Sequence, residues 1–169
     1  IKNALKLVPV TGADIDMIRS HKRPLKDGID FGYVGDVDSA NGNMLHTLIE
    51  AGIVPVMAPL THDGNGNILN TNADTIASET AKALAPYYDV TLMFCFEKKG
   101  VLSNPDDDDS VIPSITPEEF KALVADGTVA GGMIPKLENS FNAIEHGVKQ
   151  VVITLASAID GKHGTILRG

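Results

Sequence analysis

The sequence predicts an α/β fold with a largely parallel sheet, and three observations carry that prediction. Short apolar runs of strand length alternate along the chain with segments of helical periodicity. Residues 53–58 and 90–96 are apolar nearly throughout, the pattern of strands covered on both faces. The connections between them are short and carry recognisable helix starts and stops.

The elements follow in order. Residues 4–10 read as a strand, closed by the turn Thr11-Gly12-Ala13-Asp14. Residues 22–28 form a polar connection, and 30–37 a strand holding two glycines. A helix over 40–51 follows, with Asp38 or Ser39 as cap and Gly52 as stop. Strand 53–58 comes next. The run Thr61-His62-Asp63-Gly64-Asn65-Gly66-Asn67 is a strong turn signal, the tip of a hairpin. Helix 73–84 precedes the second buried strand, 90–96. Residues 103–110, with four consecutive aspartates, make a solvated loop. Thr116-Pro117-Glu118-Glu119 is a helix start with capping-box spacing and proline at the first helical position, and the helix runs to Ala125. Helix 133–147, strand 150–154 and a last strand over 164–167 complete the chain. No internal repeat or interdomain linker appears, so residues 1–169 read as a single domain.

A chain of 169 residues with 43% hydrophobic content can bury a real core. Its longest apolar stretches are far too short to span a bilayer. The formal net charge of −8 argues against general nucleic-acid binding. Cys95 is the single cysteine, which excludes an intrachain disulfide, and no signal-like segment opens the chain, so the cytoplasm is the expected setting. The chain opens on Ile1, and Lys2-Asn3-Ala4-Leu5 reads like the interior of a longer protein.

Two polar motifs open helices. Asn70-Thr71-Asn72-Ala73-Asp74 brings a carboxylate and amides to one, and Gly131-Gly132-Met133-Ile134-Pro135-Lys136 brings glycines and a cation to the other. Helix N-termini favour anions, so the pair suggests a phosphorylated ligand. Asn70 can donate to an oxyanion, and Asp74 can accept from an ammonium or organise Mg²⁺-bound waters. Simple helix capping explains the same residues for purely local reasons, and on spacing alone it is the favoured reading. Lys136 opposes the dipole of its own helix, and that local cost points to a phosphate; a surface lysine after a glycine turn is the competing reading. Glu97, Lys98, Gly100, Val101 and Leu102 leave a buried strand at the end where open α/β sheets bind ligands, although a charged strand exit is an ordinary feature. The five histidines show no ligand spacing, so no protein metal site is expected. No Walker A loop, dinucleotide glycine fingerprint or nucleophile elbow is present.

Several stretches together resemble the acetylglutamate kinases of the amino-acid kinase family. They are Phe31-Gly32-Tyr33-Val34-Gly35-Asp36-Val37, the run from Gly52 to Leu60, Asn70-Thr71-Asn72-Ala73-Asp74, which is similar to that family's N-x-N-A-D, and Gly131 to Lys136, which is similar to its G-G-M-I-x-K. The match extends to Val152. The resemblance implies an amino-acid kinase (carbamate kinase-like) fold, a three-layer α/β/α sandwich, of which this chain is the second, ATP-binding part. It implies transfer of the γ-phosphate of ATP, with Mg²⁺, to the side-chain carboxylate of N-acetyl-L-glutamate in arginine biosynthesis, within a homo-oligomer. By the same resemblance Asn70 contacts the acylglutamate, Asp74 organises catalytic lysines, and Lys136 stabilises the phosphoryl group in flight. Glu97, Lys98, Gly100, Val101, Leu102, Val129, Ala130 and Gly131 border the nucleotide. The substrate carboxylate attacks phosphorus directly, so catalysis is positioning and charge neutralisation. Kinases for N-succinyl-L-glutamate or another amino acid, and a non-catalytic nucleotide-binding module, are the alternatives. Two departures stand out: Phe96-Glu97-Lys98 replaces the usual Thr/Ser-Asp-Val, and residues 155–163 lack the usual pattern before Gly164-Thr165.

Overall fold

The computed structural model describes residues 6–160 and 163–169. The chain forms two compact units, Ile1–Tyr87 and Tyr88–Gly169, with the boundary between two adjacent tyrosines. Both units are mixed α/β with parallel strand pairs. Among the described residues no helix is long and apolar enough to cross a membrane.

In the first unit, β1 (Lys6–Val10) and β4 (Ile53–Met57) pair in parallel. Ala4 and Leu5 of the expected first strand lie outside the described residues. A second sheet has the order β3-β2-β5-β6, with β2 at Ile18–Lys22, β3 at Gly35–Ala40, β5 at Leu60–His62 and β6 at Ile68–Asn70. Helices α1 (Gly42–Glu50) and α2 (Ala73–Leu84) complete the unit. Its core gathers Val10, Met17, Ile18, Leu45 and Ile76, with Met57, Leu48 and Leu84 packed against them.

Three differences from the expectations have physical reasons. Residues 53–58 do not form a strand covered on both faces. Val10 and Met57 turn inward to α1, whereas Val54 and Val56, on the opposite face, are 42% and 51% exposed. The cap of α1 is neither Asp38 nor Ser39. Both belong to β3, which runs on to Ala40 against β2, and Asn41 caps instead, its side chain accepting from the Met44 amide at 3.1 Å. The third strand starts later than expected, at Gly35, and β2 was not foreseen, because only Ile18 and Ser20 of its five residues point inward. The hairpin tip after β5 and the bounds of α2 are as expected.

In the second unit the sheet order is β7-β9-β10-β8, with β7 at Thr91–Phe96, β8 at Ser114–Ile115, β9 at Gln150–Leu155 and β10 at Thr165–Leu167. β7 and β9 run parallel, while β10 is antiparallel to β9 and parallel to β8. β9 is an interior strand, flanked by β7 and β10, and Val151, Val152, Ile153 and Thr154 are all fully buried. Helix α3 (Pro117–Ala125) starts with the capping box read in the sequence: Thr116 Oγ1 accepts from the Glu119 amide and Glu119 accepts from the Thr116 amide. Helix α4 (Met133–Glu145) packs on β9 through buried Leu137, Ser140, Phe141 and Ala143. The two-residue β8 is too short to leave a periodic signal.

Candidate functional site

The parallel strands β7 and β9 end side by side at Phe96 and Leu155. Ligands in open α/β sheets gather beyond such carboxyl ends. A cavity of about 790 Å³ lies there. The β7 exit supplies Cys95, Phe96, Glu97, Lys98, Gly100, Val101 and Leu102 to its wall, and Ala156 comes from the β9 exit. The segment between α3 and α4 supplies Gly127, Thr128, Val129 and Ala130, and Met133 comes from the start of α4. The size falls within the range of small-molecule sites, and an apolar wall carrying a few charged groups is their usual chemistry.

This convergence depends on buried hydrogen bonds. Thr165 is fully buried, and its hydroxyl accepts from the Val101 amide at 2.8 Å and donates to the Ile112 carbonyl at 2.7 Å. The Ile112 amide returns a bond to the Val101 carbonyl at 2.8 Å. The 100–102 backbone is thereby stitched to two neighbouring segments. Gly100 permits the close approach, because a Cβ there would sit 2.8 Å from the Thr165 hydroxyl and 3.0 Å from its amide nitrogen. At the other wall, the Asp126 carboxylate accepts from the Thr128 amide at 2.9 Å, which lowers its pKa, and the Val129 amide bonds the Leu123 carbonyl at 2.8 Å.

Charge at the mouth is paired. Lys98 donates to Asp108 at 2.7 Å and Lys99 to Asp109 at 2.5 Å, so the aspartate loop ties back onto the β7 exit. The Asp108 partner raises the Lys98 pKa, first through the hydrogen bond and then through its charge; Lys98 in turn lowers that of Asp108. All four side chains are exposed, so these pairs are screened and individually weak.

Seven of the eight residues expected to border a nucleotide (Glu97, Lys98, Gly100, Val101, Leu102, Val129, Ala130) line this one cavity. Gly131 follows Ala130 with φ +57°, a left-handed turn that glycine adopts readily, and Gly132 caps α4 without a side-chain bond. Lys136 stands in the first turns of that helix, and its ammonium lies 3.6 Å from the Phe96 ring centroid and 5.9 Å from that of Phe94.

Asn70 and Asp74 belong to the first unit. Asn70 ends β6 with its amide donating to the Tyr33 carbonyl at 2.7 Å. The cap of α2 is Asn72, which accepts from the Thr75 amide at 3.1 Å. Between these, Thr71 is buried and its hydroxyl meets Thr61 Oγ1 at 3.0 Å and donates to the Gly35 carbonyl at 3.3 Å. That anchor sets the register of the motif and leaves the exposed Asn70 and the half-buried Asp74 on either side of the cap. Sequence reasoning missed both Thr71 and Thr165. The one available signal for either was a β-branched hydroxyl residue beside a motif.

The amino acid kinase family signature matches residues 1–155. The chain belongs to this family. Among curated relatives, the acetylglutamate kinase of Phocaeicola vulgatus is 67% identical over 161 residues, covering 95% of this chain and 62% of the relative. That of Bacteroides thetaiotaomicron is 64% identical over 166 residues, covering 98% and 63%. The chain thus spans less than two thirds of the length of these relatives. Among solved structures, carbamate kinase from Giardia lamblia bound to AMP-PNP superposes with a TM-score of 0.66 at 20% identity, over 96% of this chain and 61% of that one. At that identity the likeness shows the fold alone, and it is the α/β fold that the resemblance implied.

Proposed function

We propose that this amino acid kinase family chain is the nucleotide-binding part of an acetylglutamate kinase. The complete enzyme would move the γ-phosphate of ATP to the side-chain carboxylate of N-acetyl-L-glutamate, a step of arginine biosynthesis, in the cytoplasm and as a homo-oligomer. The observation that carries this reading is the high identity to acetylglutamate kinases along nearly the whole chain. The cavity supports it. Val101, Leu102, Val129 and Met133 offer apolar surface to a nucleobase, and Glu97 and Lys98 offer polar partners.

Phosphoryl transfer asks a protein for positioned charge rather than covalent chemistry. Lys136 supplies a compact ammonium for the transferring group, and Asn70 and Asp74 serve the acyl-amino-acid side of the reaction. Mg²⁺ is compatible with this donor set. Among the described residues no group of three His, Cys, Asp or Glu is placed to hold a metal ion. A magnesium ion that keeps its waters and sits mainly on nucleotide phosphates needs no such cage.

The test is a coupled ADP-release assay on the complete gene product, with N-acetyl- and N-succinyl-L-glutamate offered separately. Turnover on the acetyl compound is expected. Turnover on the succinyl compound alone would move the assignment to another acylglutamate kinase. Nucleotide binding without ADP release on either would replace it with a non-catalytic module.

A further inference from the structure

Leu102 and Val111 bridge in antiparallel sense at the foot of the 103–110 loop. Val101 and Ile112 are the next pair along, and in an unbroken antiparallel ladder they would exchange two main-chain bonds. One is made directly, from the Ile112 amide to the Val101 carbonyl at 2.8 Å. The other is relayed by a side chain. The Val101 amide donates to Thr165 Oγ1 at 2.8 Å, and that hydroxyl donates to the Ile112 carbonyl at 2.7 Å. A hydroxyl from β10 is thus built into the ladder that carries Val101 and Leu102. An amide and a carbonyl joined through a third oxygen stand farther apart than in a direct bond of about 2.9 Å. The spacing of this stem is therefore set by Thr165.

The relay asks for one group that donates and accepts at once, which a hydroxyl does and an alkyl side chain of the same shape does not. Thr165 is 0% exposed, so bulk water cannot take over the role. In the sheet order β7-β9-β10-β8, β10 is not a neighbour of β7, so the hydroxyl ties the β7 exit to a strand two places away. Val101 and Leu102 line the cavity, whereas Thr165 does not.

We propose that Thr165 is a positioning residue for nucleotide binding: its hydroxyl, inserted in the ladder, sets where Val101 and Leu102 stand in the cavity wall and so raises the affinity for ATP without touching the nucleotide. This rests on the reading of the cavity as a nucleotide site.

The experiment compares Thr165→Val with Thr165→Ser in the complete enzyme, at a temperature well below the melting point of each. Three quantities are read: ATP affinity by calorimetric titration, the KM for N-acetyl-L-glutamate, and deuterium uptake of the 98–102 segment without ligand. The Val variant should bind ATP about five- to ten-fold more weakly, the scale of one lost hydrogen bond. Its KM for N-acetyl-L-glutamate should move less than about two-fold, because the disturbed wall borders the nucleotide alone. Deuterium uptake of 98–102 should rise in the Val variant. The Ser variant keeps the hydroxyl and should match wild type in all three. Should the Val variant fail to fold, Thr165→Cys carries the same comparison, since a thiol is a weak donor and a weak acceptor. ATP affinity unchanged in the Val variant would overturn the proposal by reducing Thr165 to a stabilising residue. Equal losses in the Val and Ser variants would overturn it too, because the hydroxyl would not be the cause. Wild type that binds no ATP would overturn the nucleotide reading instead, and the deuterium uptake would then decide by itself whether Thr165 places the wall.

Discussion

The two helix starts that looked alike in sequence are built differently. At α2 the polar residues are organised locally: Asn72 caps, Thr71 anchors beneath, and Asn70 and Asp74 flank the cap within five residues. At α4 the helix start has no side-chain cap, and its lysine leans on a phenylalanine from a strand about forty residues earlier. The first arrangement is stabilised by short-range hydrogen bonds that any helix can use. The second exists only because distant segments meet at the ends of parallel strands. A motif whose polar groups are absorbed by local bonds owes much of its composition to folding. One whose contacts come from distant segments owes its geometry to tertiary structure.

Substitutions can break or sharpen this contrast. The largest effect is expected at Lys136: Lys136→Ala in the complete enzyme should lower kcat about 10²–10³-fold, the loss of one preorganised charge-stabilising donor. Steady-state kinetics check it, and a near-normal kcat would remove Lys136 from the chemistry. At the other helix, Asn70→Ala should raise the KM for the acylglutamate several-fold and leave the KM for ATP unchanged. A change confined to ATP would reverse the assignment.

Stability changes come next. Thr165→Val keeps the shape but strands the buried Val101 amide and Ile112 carbonyl, so unfolding free energy should fall by about 1–3 kcal/mol. Denaturant melts read this directly, and an unchanged midpoint would mean that the cavity floor does not depend on that hydroxyl. The smallest effect concerns Asp36, whose carboxylate accepts from Arg23 Nε at 3.0 Å and from its Nη2. The hydrogen bonds and charge of Arg23 lower its pKa below the ordinary 3.8. A depressed folded pKa contributes stability above the unfolded value, and that stability is lost as pH falls through the folded one. Asp36→Asn should therefore flatten the acid arm of the stability profile below about pH 4 and cost at most about 1 kcal/mol at neutral pH, the pair being solvent-screened. Titrated thermal melts of both proteins would show it.

Much of the architecture was legible because its causes are local. Thr116 to Glu119 announce a capping box, the residues around Gly64 and Gly66 announce a hairpin tip, and the apolar run ending at Phe96 announces a strand. The elements that escaped have weak local causes. β2 exists because β3 and β5 offer it backbone partners on both sides, and β8 because β10 runs beside it. The cap of α1 moved to Asn41 because pairing with β2 claimed Asp38 and Ser39 for a strand. In each case long-range pairing outweighed the local preference.

The site divides in the same way. Residue types and helix starts pointed to Lys136, Asn70, Asp74 and the segment from Glu97 to Leu102 as candidates, since charge and capping chemistry are written in short windows of sequence. That the β7 exit, the turn before α4 and the β9 exit enclose one cavity was decided by strand order. So were the hydroxyl of Thr165 beneath Val101 and the ring of Phe96 beneath the Lys136 ammonium. These are contacts between residues tens of positions apart, and no local propensity encodes them. They follow from which strands pair, and that depends on burying apolar surface across the whole unit.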